Sequence, residues 1–239
     1  SVGSTAIALL LAVSSAQATL ITPGVDISDN NDTTTEVWRN FAGRGGLTLG
    51  YSFSVADDLF CGNNCGVDIT GLGVFDFNKD GLSVDIEVGV WDSLGALQIS
   101  GTVVGGSSSD HIGSYNAHGD WRYMTLASAV RLAEGDYTIG AFYSDTSTDM
   151  VGDNIDILQT INGVTYGQGM RGAIGVTSLT NPNVSVGQDY YKSYFGPTLL
   201  IGEGSPATHD NANDIPEPAV IALFGLGLVG MVFARRRQS

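Results

Sequence analysis

Along this chain, short runs of alternating or continuous apolar residues are separated by Gly, Asn, Asp and Ser, and the body sustains no 3.6-residue period. That pattern predicts strands. A period of two puts every second side chain on one face of a sheet, and Gly, Asn and Asp supply the turns between strands. The candidates are Val37 to Phe41, Thr48 to Val55, Val67 to Phe75, Asp85 to Trp91, Ala96 to Val104, Trp121 to Leu126, Asp136 to Tyr143, Ala173 to Thr177 and Thr198 to Gly202. Only Ala127 to Leu132 reads as a helical turn, and a weak one. The expected fold is all-β, an antiparallel β-sandwich of the jelly-roll kind with a C-terminal hydrophobic helix. Thirty-three glycines and a charged fraction of 15% suit its tight turns and packed sheets.

The pattern changes at the C-terminal end. Asp214-Ile215-Pro216-Glu217-Pro218 is followed by an uncharged run from Ala219 to Ala234 and then by Arg235-Arg236-Arg237. As a helix this run spans about 24 Å against a hydrocarbon core of about 30 Å, and Gly225, Gly227 and Gly230 weaken it further. The arginines would stay on the cytoplasmic side, which places everything before them outside. These three parts in this order, Pro216 to Arg237, resemble the PEP-CTERM sorting signal of Gram-negative bacteria. The resemblance implies an exosortase as partner, a membrane protease that cuts near the motif after transient anchoring in the inner membrane. It also implies secretion or delivery to the cell surface. A plain C-terminal anchor with a proline-rich juncture predicts the same orientation without cleavage.

The other end agrees. Ala6 to Val13 is apolar and leads into Ser14-Ser15-Ala16-Gln17-Ala18, the small-residue pattern after which a signal peptidase cuts. The expected organisation is a signal peptide lacking its basic start (1–18), one β-sandwich domain (19–203), a flexible spacer (204–214) and the sorting signal (215–239). A net charge of −15 disfavours nucleic acid, is compatible with calcium, and keeps an exported protein in solution. Cys61 and Cys65, in Cys-Gly-Asn-Asn-Cys, read as a small-loop disulfide of an oxidising compartment. A redox pair needs two intervening residues, and zinc needs further ligands that no nearby His or Cys offers.

Asp76-Phe-Asn78-Lys-Asp80-Gly81-Leu82, closed by Glu87, fits D-x-N-x-D-G-x5-E. Calcium takes six to eight hard oxygens, which alternate side chains along a tight loop supply. The stretch resembles the EF-hand loop and related calcium loops of extracellular proteins. That resemblance assigns side-chain ligands to Asp76, Asn78 and Asp80, a carbonyl ligand to Leu82 and a bidentate carboxylate to Glu87, with Asp85 as an alternative. Calcium there would fix the hairpin. The flanks look like strands, so a plain β-turn, with Asp, Asn and Gly serving its geometry, is the competing reading.

Gly105 to Asp120 reads as a long polar loop in which Asp110, His111, His118 and Asp120 offer either a metal or acid–base role or simply solvated side chains. The stretches Leu72 to Leu82, Glu87 to Asp92, Gly119 to Tyr123 and Gly135 to Tyr143 resemble a β-sandwich domain recurrent in PEP-CTERM and other bacterial surface proteins. That resemblance carries no catalytic residues. Gly-x-Ser-x-Gly, His-Glu-x-x-His and a phosphate-binding Gly loop are all absent from the sequence. The expectation is a protein without catalytic activity at the cell surface or in a biofilm matrix. The alternative is a carbohydrate-binding module for exopolysaccharide, stacking sugars on Trp91, Trp121, Tyr115, Tyr190, Tyr191 or Tyr194. Tyr190 and Tyr191 are neighbours, so on a strand they cannot both face inward.

Overall fold

Two antiparallel sheets share one apolar core, and their strands are numbered along the chain. The larger carries, in spatial order, β14 (Val184–Ser185), β13 (Val164–Ile174), β4 (Leu47–Val55), β10 (Gly135–Tyr143), β6 (Ile86–Asp92) and β7 (Leu97–Val103). The smaller carries β1 (Ile21–Pro23), β15 (Pro197–Gly202), β5 (Val67–Phe77), β9 (Gly119–Leu132) and β8 (Asp110–Gly113). Two short pairs complete the architecture, β3 (Val37–Asn40) with β11 (Met150–Asp153) and β2 (Val25–Ile27) with β12 (Ile157–Gln159). The computed structural model describes residues 21–27, 37–56, 66–107, 109–114, 118–153, 157–159, 163–186 and 195–202. The expected signal peptide, Cys61 and Cys65, Tyr115, Tyr190, Tyr191 and Tyr194, the spacer and the C-terminal helix lie outside those residues.

Alternation decides what each strand buries. On β4, Leu49, Tyr51, Phe53 and Val55 face the core while Ser52 and Ser54 are only partly covered. In cross-strand register, Tyr51 meets Ile139 and Leu49 meets Ala141 on β10, and these meet Val90 and Val88 on β6. Every one of these residues is buried, so the register repeats the apolar face across three strands. The sheets approach closely where β7 crosses β9: a Cβ placed on Gly101 would stand 2.0 Å from Met124 Sδ. A side chain there would require Met124 to move aside.

The segment 176–183 runs across the other face of the larger sheet. Val176 N–H bonds Gly46 O at 3.0 Å, Leu179 N–H bonds Glu87 Oε2 at 3.1 Å and Thr180 N–H bonds Thr48 Oγ1 at 3.1 Å. Gly89 and Gly140, paired across β6 and β10, form the floor. Built-in Cβ atoms there would meet Leu179 Cδ2 at 3.0 Å and Pro182 Cγ at 2.8 Å.

Three sequence expectations are corrected. Ala127 to Leu132 is strand: Val130, Arg131 and Leu132 pair with Ile69, Asp68 and Val67, and a partner strand outweighs a weak local helical preference. Of the strand expected at Ala173 to Thr177, only Ala173 and Ile174 are strand, as the end of β13, which starts at Val164. Val164 to Tyr166 pair with Val55 to Phe53, and a register shift between Tyr166 and Gly169 then breaks the alternation of this polar and glycine-rich stretch. Gly105 to Asp120 is not all loop, because β8 pairs Asp110 to Gly113 with Asp120 to Tyr123 of β9.

Candidate functional site

The connection between β5 and β6, which passes from the smaller sheet to the larger, holds the sequence's sharpest motif. Asp76, at the end of β5, is almost fully buried, and its Oδ2 accepts the Gly81 N–H at 3.0 Å and the Arg122 Nε–H at 2.7 Å. Arg122 extends from β9 and also reaches the carbonyls of Ser107 at 3.2 Å and Ser109 at 3.4 Å. One guanidinium therefore ties this connection to the loop that follows β7. Asn78 and Lys79 take positive φ values of 71° and 62°, and Gly81 one of 97°. Asn and Gly are the residues that tolerate this left-handed backbone best. Lys79 Nζ pairs with Asp120 Oδ1 at 3.1 Å, and the Asn78 N–H bonds His118 O at 2.7 Å.

This geometry does not assemble the calcium shell expected from the sequence. Leu82 O, the carbonyl expected to bind metal, accepts the Gly106 N–H at 2.7 Å, while the Leu82 side chain is buried in the core. Glu87 lies on β6 in the other sheet and takes the Leu179 N–H. The alternative ligand Asp85 accepts the Gly105 N–H at 2.8 Å. Asp76 already has a cation in Arg122. Asn78 and Asp80 stay at the exposed turn. Among the described residues, no group of three or more His, Cys, Asp or Glu side chains is placed to hold a metal ion. The motif residues therefore do not fit a calcium centre in this arrangement.

The polar residues between 110 and 120 are also distributed. Asp120 is engaged by Lys79, His111 pairs with Arg122 across β8 and β9, and His118 stacks on Phe77 at 6.1 Å between ring centroids. Burial, with the Asp110 charge as a smaller contribution, raises the pKa of Tyr123.

Aspartates elsewhere have one recurring use. Asp92 Oδ1 accepts the N–H groups of Leu94 and Ala96, Asp145 Oδ1 that of Gly45, and Asp149 both the N–H and the hydroxyl of Ser83. Carboxylates that accept loop N–H groups replace hydrogen bonds the turns would otherwise lack. These aspartates hold loops in place, a use that composition alone did not reveal.

Deeper in the core, Asp26 on β2 is fully buried, and its Oδ1 accepts the Trp121 Nε1–H at 2.7 Å and the Ser114 hydroxyl at 2.7 Å. Nearby, Thr198 donates to Val25 O at 2.7 Å, and Tyr51 stacks on Phe195 with centroids 5.0 Å apart. Burial raises the pKa of Tyr51 far above the usual phenol range, against a lowering contribution from Thr198. The sequence carried no signal for this cluster, because its members come from six separate strands and loops.

Trp91 and Trp121, two of the rings considered for sugar stacking, are buried. Trp91 lies against Gly89, and Trp121 is edge-on to Phe75 and Phe195. Neither ring offers a free face. Tyr115, Tyr190, Tyr191 and Tyr194 lie outside the described residues, as do Cys61 and Cys65.

Comparison with curated proteins and with solved structures returns no match. A family model described as the PEP-CTERM protein-sorting motif matches residues 214–238, a stretch that contains Pro216, Glu217, Pro218, the apolar run and Arg235 to Arg237. The chain therefore carries a PEP-CTERM sorting motif, which implies export, an exosortase as processing partner and a cell-surface or extracellular location.

Proposed function

We propose that the protein is an exported surface or biofilm-matrix component of a Gram-negative bacterium, without catalytic activity, whose β-sandwich domain works by interaction. The observation that carries this reading is the sorting motif at 214–238. A signal peptidase removes residues 1–18, the apolar run anchors the chain briefly in the inner membrane, and exosortase cleavage near Pro216 releases it. The antiparallel two-sheet body supports the sandwich part of the reading. Two of its buried carboxylates, Asp76 and Asp26, are engaged by Arg122 and by Trp121 with Ser114, which suits structural roles.

The test is to express the full chain in a host with an active exosortase and in the same host with that protease deleted. Cell fractions and the mass of the C-terminal peptide are then compared. A shortened chain at the surface of the first host and an intact chain held in the inner membrane of the second are expected. A Pro216→Ala/Glu217→Ala/Pro218→Ala variant should behave in the first host as the parent does in the second. Intact chain in the membrane of both hosts would leave a plain anchor.

The carbohydrate-binding alternative now rests on Tyr190, Tyr191 and Tyr194, since Trp91 and Trp121 are core residues. Retardation of the protein in gels containing exopolysaccharide, lost in a Tyr190→Ala/Tyr191→Ala/Tyr194→Ala variant, would favour it.

A further inference from the structure

Both termini of the two-sheet body leave from one end of it. Ile21 pairs with Gly202 in the smaller sheet, and the same end continues through Ile201 opposite Ile69 and Val67 opposite Leu132. Ala133 and Glu134 then lead into β10 of the larger sheet, whose Tyr137 lies opposite Asp92, where the turn between β6 and β7 starts. That turn therefore sits at the end from which the chain continues to the sorting motif. Sixteen residues, 203–218, separate Gly202 from the apolar run, so anchoring through that run keeps this end within about 55 Å of the bilayer.

The turn holds apolar side chains out toward that side. Ser93 to Gln98 is exposed throughout and uncharged, with Leu94 93% and Leu97 52% exposed and Ala96 between them. Asp92, half-buried at its base, accepts the Leu94 and Ala96 N–H groups through Oδ1 and the Gly95 N–H through its carbonyl, each at 2.9 Å. Three donors at the tip thus need no water, which lowers the cost of entering a layer where water is scarce. A single exposed leucine is ordinary on a protein surface; a tip with its donors satisfied, at the end tethered to a membrane, is a different case. We propose that, while the chain is anchored, this turn seats Leu94 and Leu97 in the headgroup layer of the bilayer and steadies the domain above it. The proposal rests on the anchoring read from the sorting motif. Glu134 and Asp136, exposed at the same end, keep their charges, so the contact is apolar and takes a neutral, zwitterionic lipid surface.

The test uses the full chain, purified from a host without exosortase so that the apolar run stays attached, in phosphatidylcholine vesicles with brominated acyl chains. Leu94→Trp places a reporter at the tip. Val104→Trp places one at the opposite end of β7, beside the Val103 that pairs with Ile86, where the native side chain is 55% exposed. Flotation with the vesicles reports the anchor, and quenching beyond that of the parent's three tryptophans reports the contact. Interfacial side chains lie about 5 to 10 Å deep, so brominated lipid should remove most of the emission added by Leu94→Trp and leave that added by Val104→Trp unchanged. Both substitutions are at exposed positions, and melting temperatures near the parent's would show that the variants fold. A chain that does not float overturns the anchoring reading and this proposal with it. A floating chain in which Leu94→Trp is quenched no more than Val104→Trp overturns this proposal alone.

Discussion

Arg122 donates its Nε–H to Asp76 Oδ2 across 2.7 Å, with 6% and 2% of the two side chains exposed. Burying the two charges costs solvation, and removing one partner leaves the other desolvated and alone. Asp76→Ala and Arg122→Ala should therefore each destabilise the protein by about 3 to 5 kcal/mol. The Asp76→Ala/Arg122→Ala variant should cost clearly less than the sum, with a coupling of about 0.5 to 3 kcal/mol. Urea unfolding of the four proteins checks this, and additive costs would show that the pair is not a unit.

The same pair sets the expectation for calcium. Arg122 supplies the positive charge at Asp76, Leu82 O is used by Gly106, and Glu87 faces Leu179. The melting temperature should then be equal in excess EDTA and in millimolar calcium, because a ligand stabilises only the state that binds it. A calcium-dependent rise of several degrees, lost in Asp76→Ala/Asp80→Ala, would restore the metal loop.

The main strands of both sheets were legible because alternation and burial coincide on them: Leu49, Tyr51 and Phe53 repeat at a period of two and are all in the core. β13 was legible only at its end. Its residues Thr165, Gly167 and Gln168 carry no apolar alternation, and the strand is held by pairing with β4. The three-residue strands are fixed by distant partners such as Leu199, which accepts the Gly24 N–H. The Asp76 motif was legible as a turn, and the partners its oxygens take in the fold were not. A local pattern gives the order of oxygen-bearing residues, whereas Arg122, which decides Asp76's partner, lies 46 residues away in the chain. The sorting motif was legible in full because its signal lies in the order of its parts and not in a fold.

The segment over Gly89 and Gly140 makes a prediction of its own. Gly140→Ala places a methyl group 2.8 Å from both Pro182 Cγ and Thr48 Cγ2, closer than side-chain atoms normally approach. Overpacking of this kind costs about 1 to 3 kcal/mol, and the segment has to lift to relieve it. Faster amide exchange at Leu179 and Thr180, whose N–H groups bond Glu87 and Thr48, should accompany the lost stability. Unchanged exchange would mean that the sheet yields instead of the segment.

Buried phenols give the pH dependence. Burial raises the pKa values of Tyr51, Tyr143 and Tyr166 above the usual value near 10, with a smaller raising contribution from Asp149 at Tyr143. The folded state keeps these protons where the unfolded chain loses them, so above about pH 10 the unfolded state binds fewer protons and stability falls as pH rises. Below that pH the contribution is constant. Each phenol should add a slope of about 1.4 kcal/mol per pH unit once the pH is well above 10. The Tyr143 hydroxyl is buried without a hydrogen-bond partner among the described residues, and Gly196 leaves it space, since a Cβ there would stand 2.2 Å from the oxygen. Tyr143→Phe removes a desolvated polar group and keeps the ring, so it should leave stability at pH 7 unchanged or raise it by about 1 kcal/mol. It should also make the alkaline loss shallower by one phenol's share. Urea unfolding from pH 8 to pH 11.5 measures both effects. A Tyr143→Phe variant that is less stable at pH 7 would show that the hydroxyl has a partner, and an unchanged alkaline slope would show that Tyr143 does not hold its proton in the folded state.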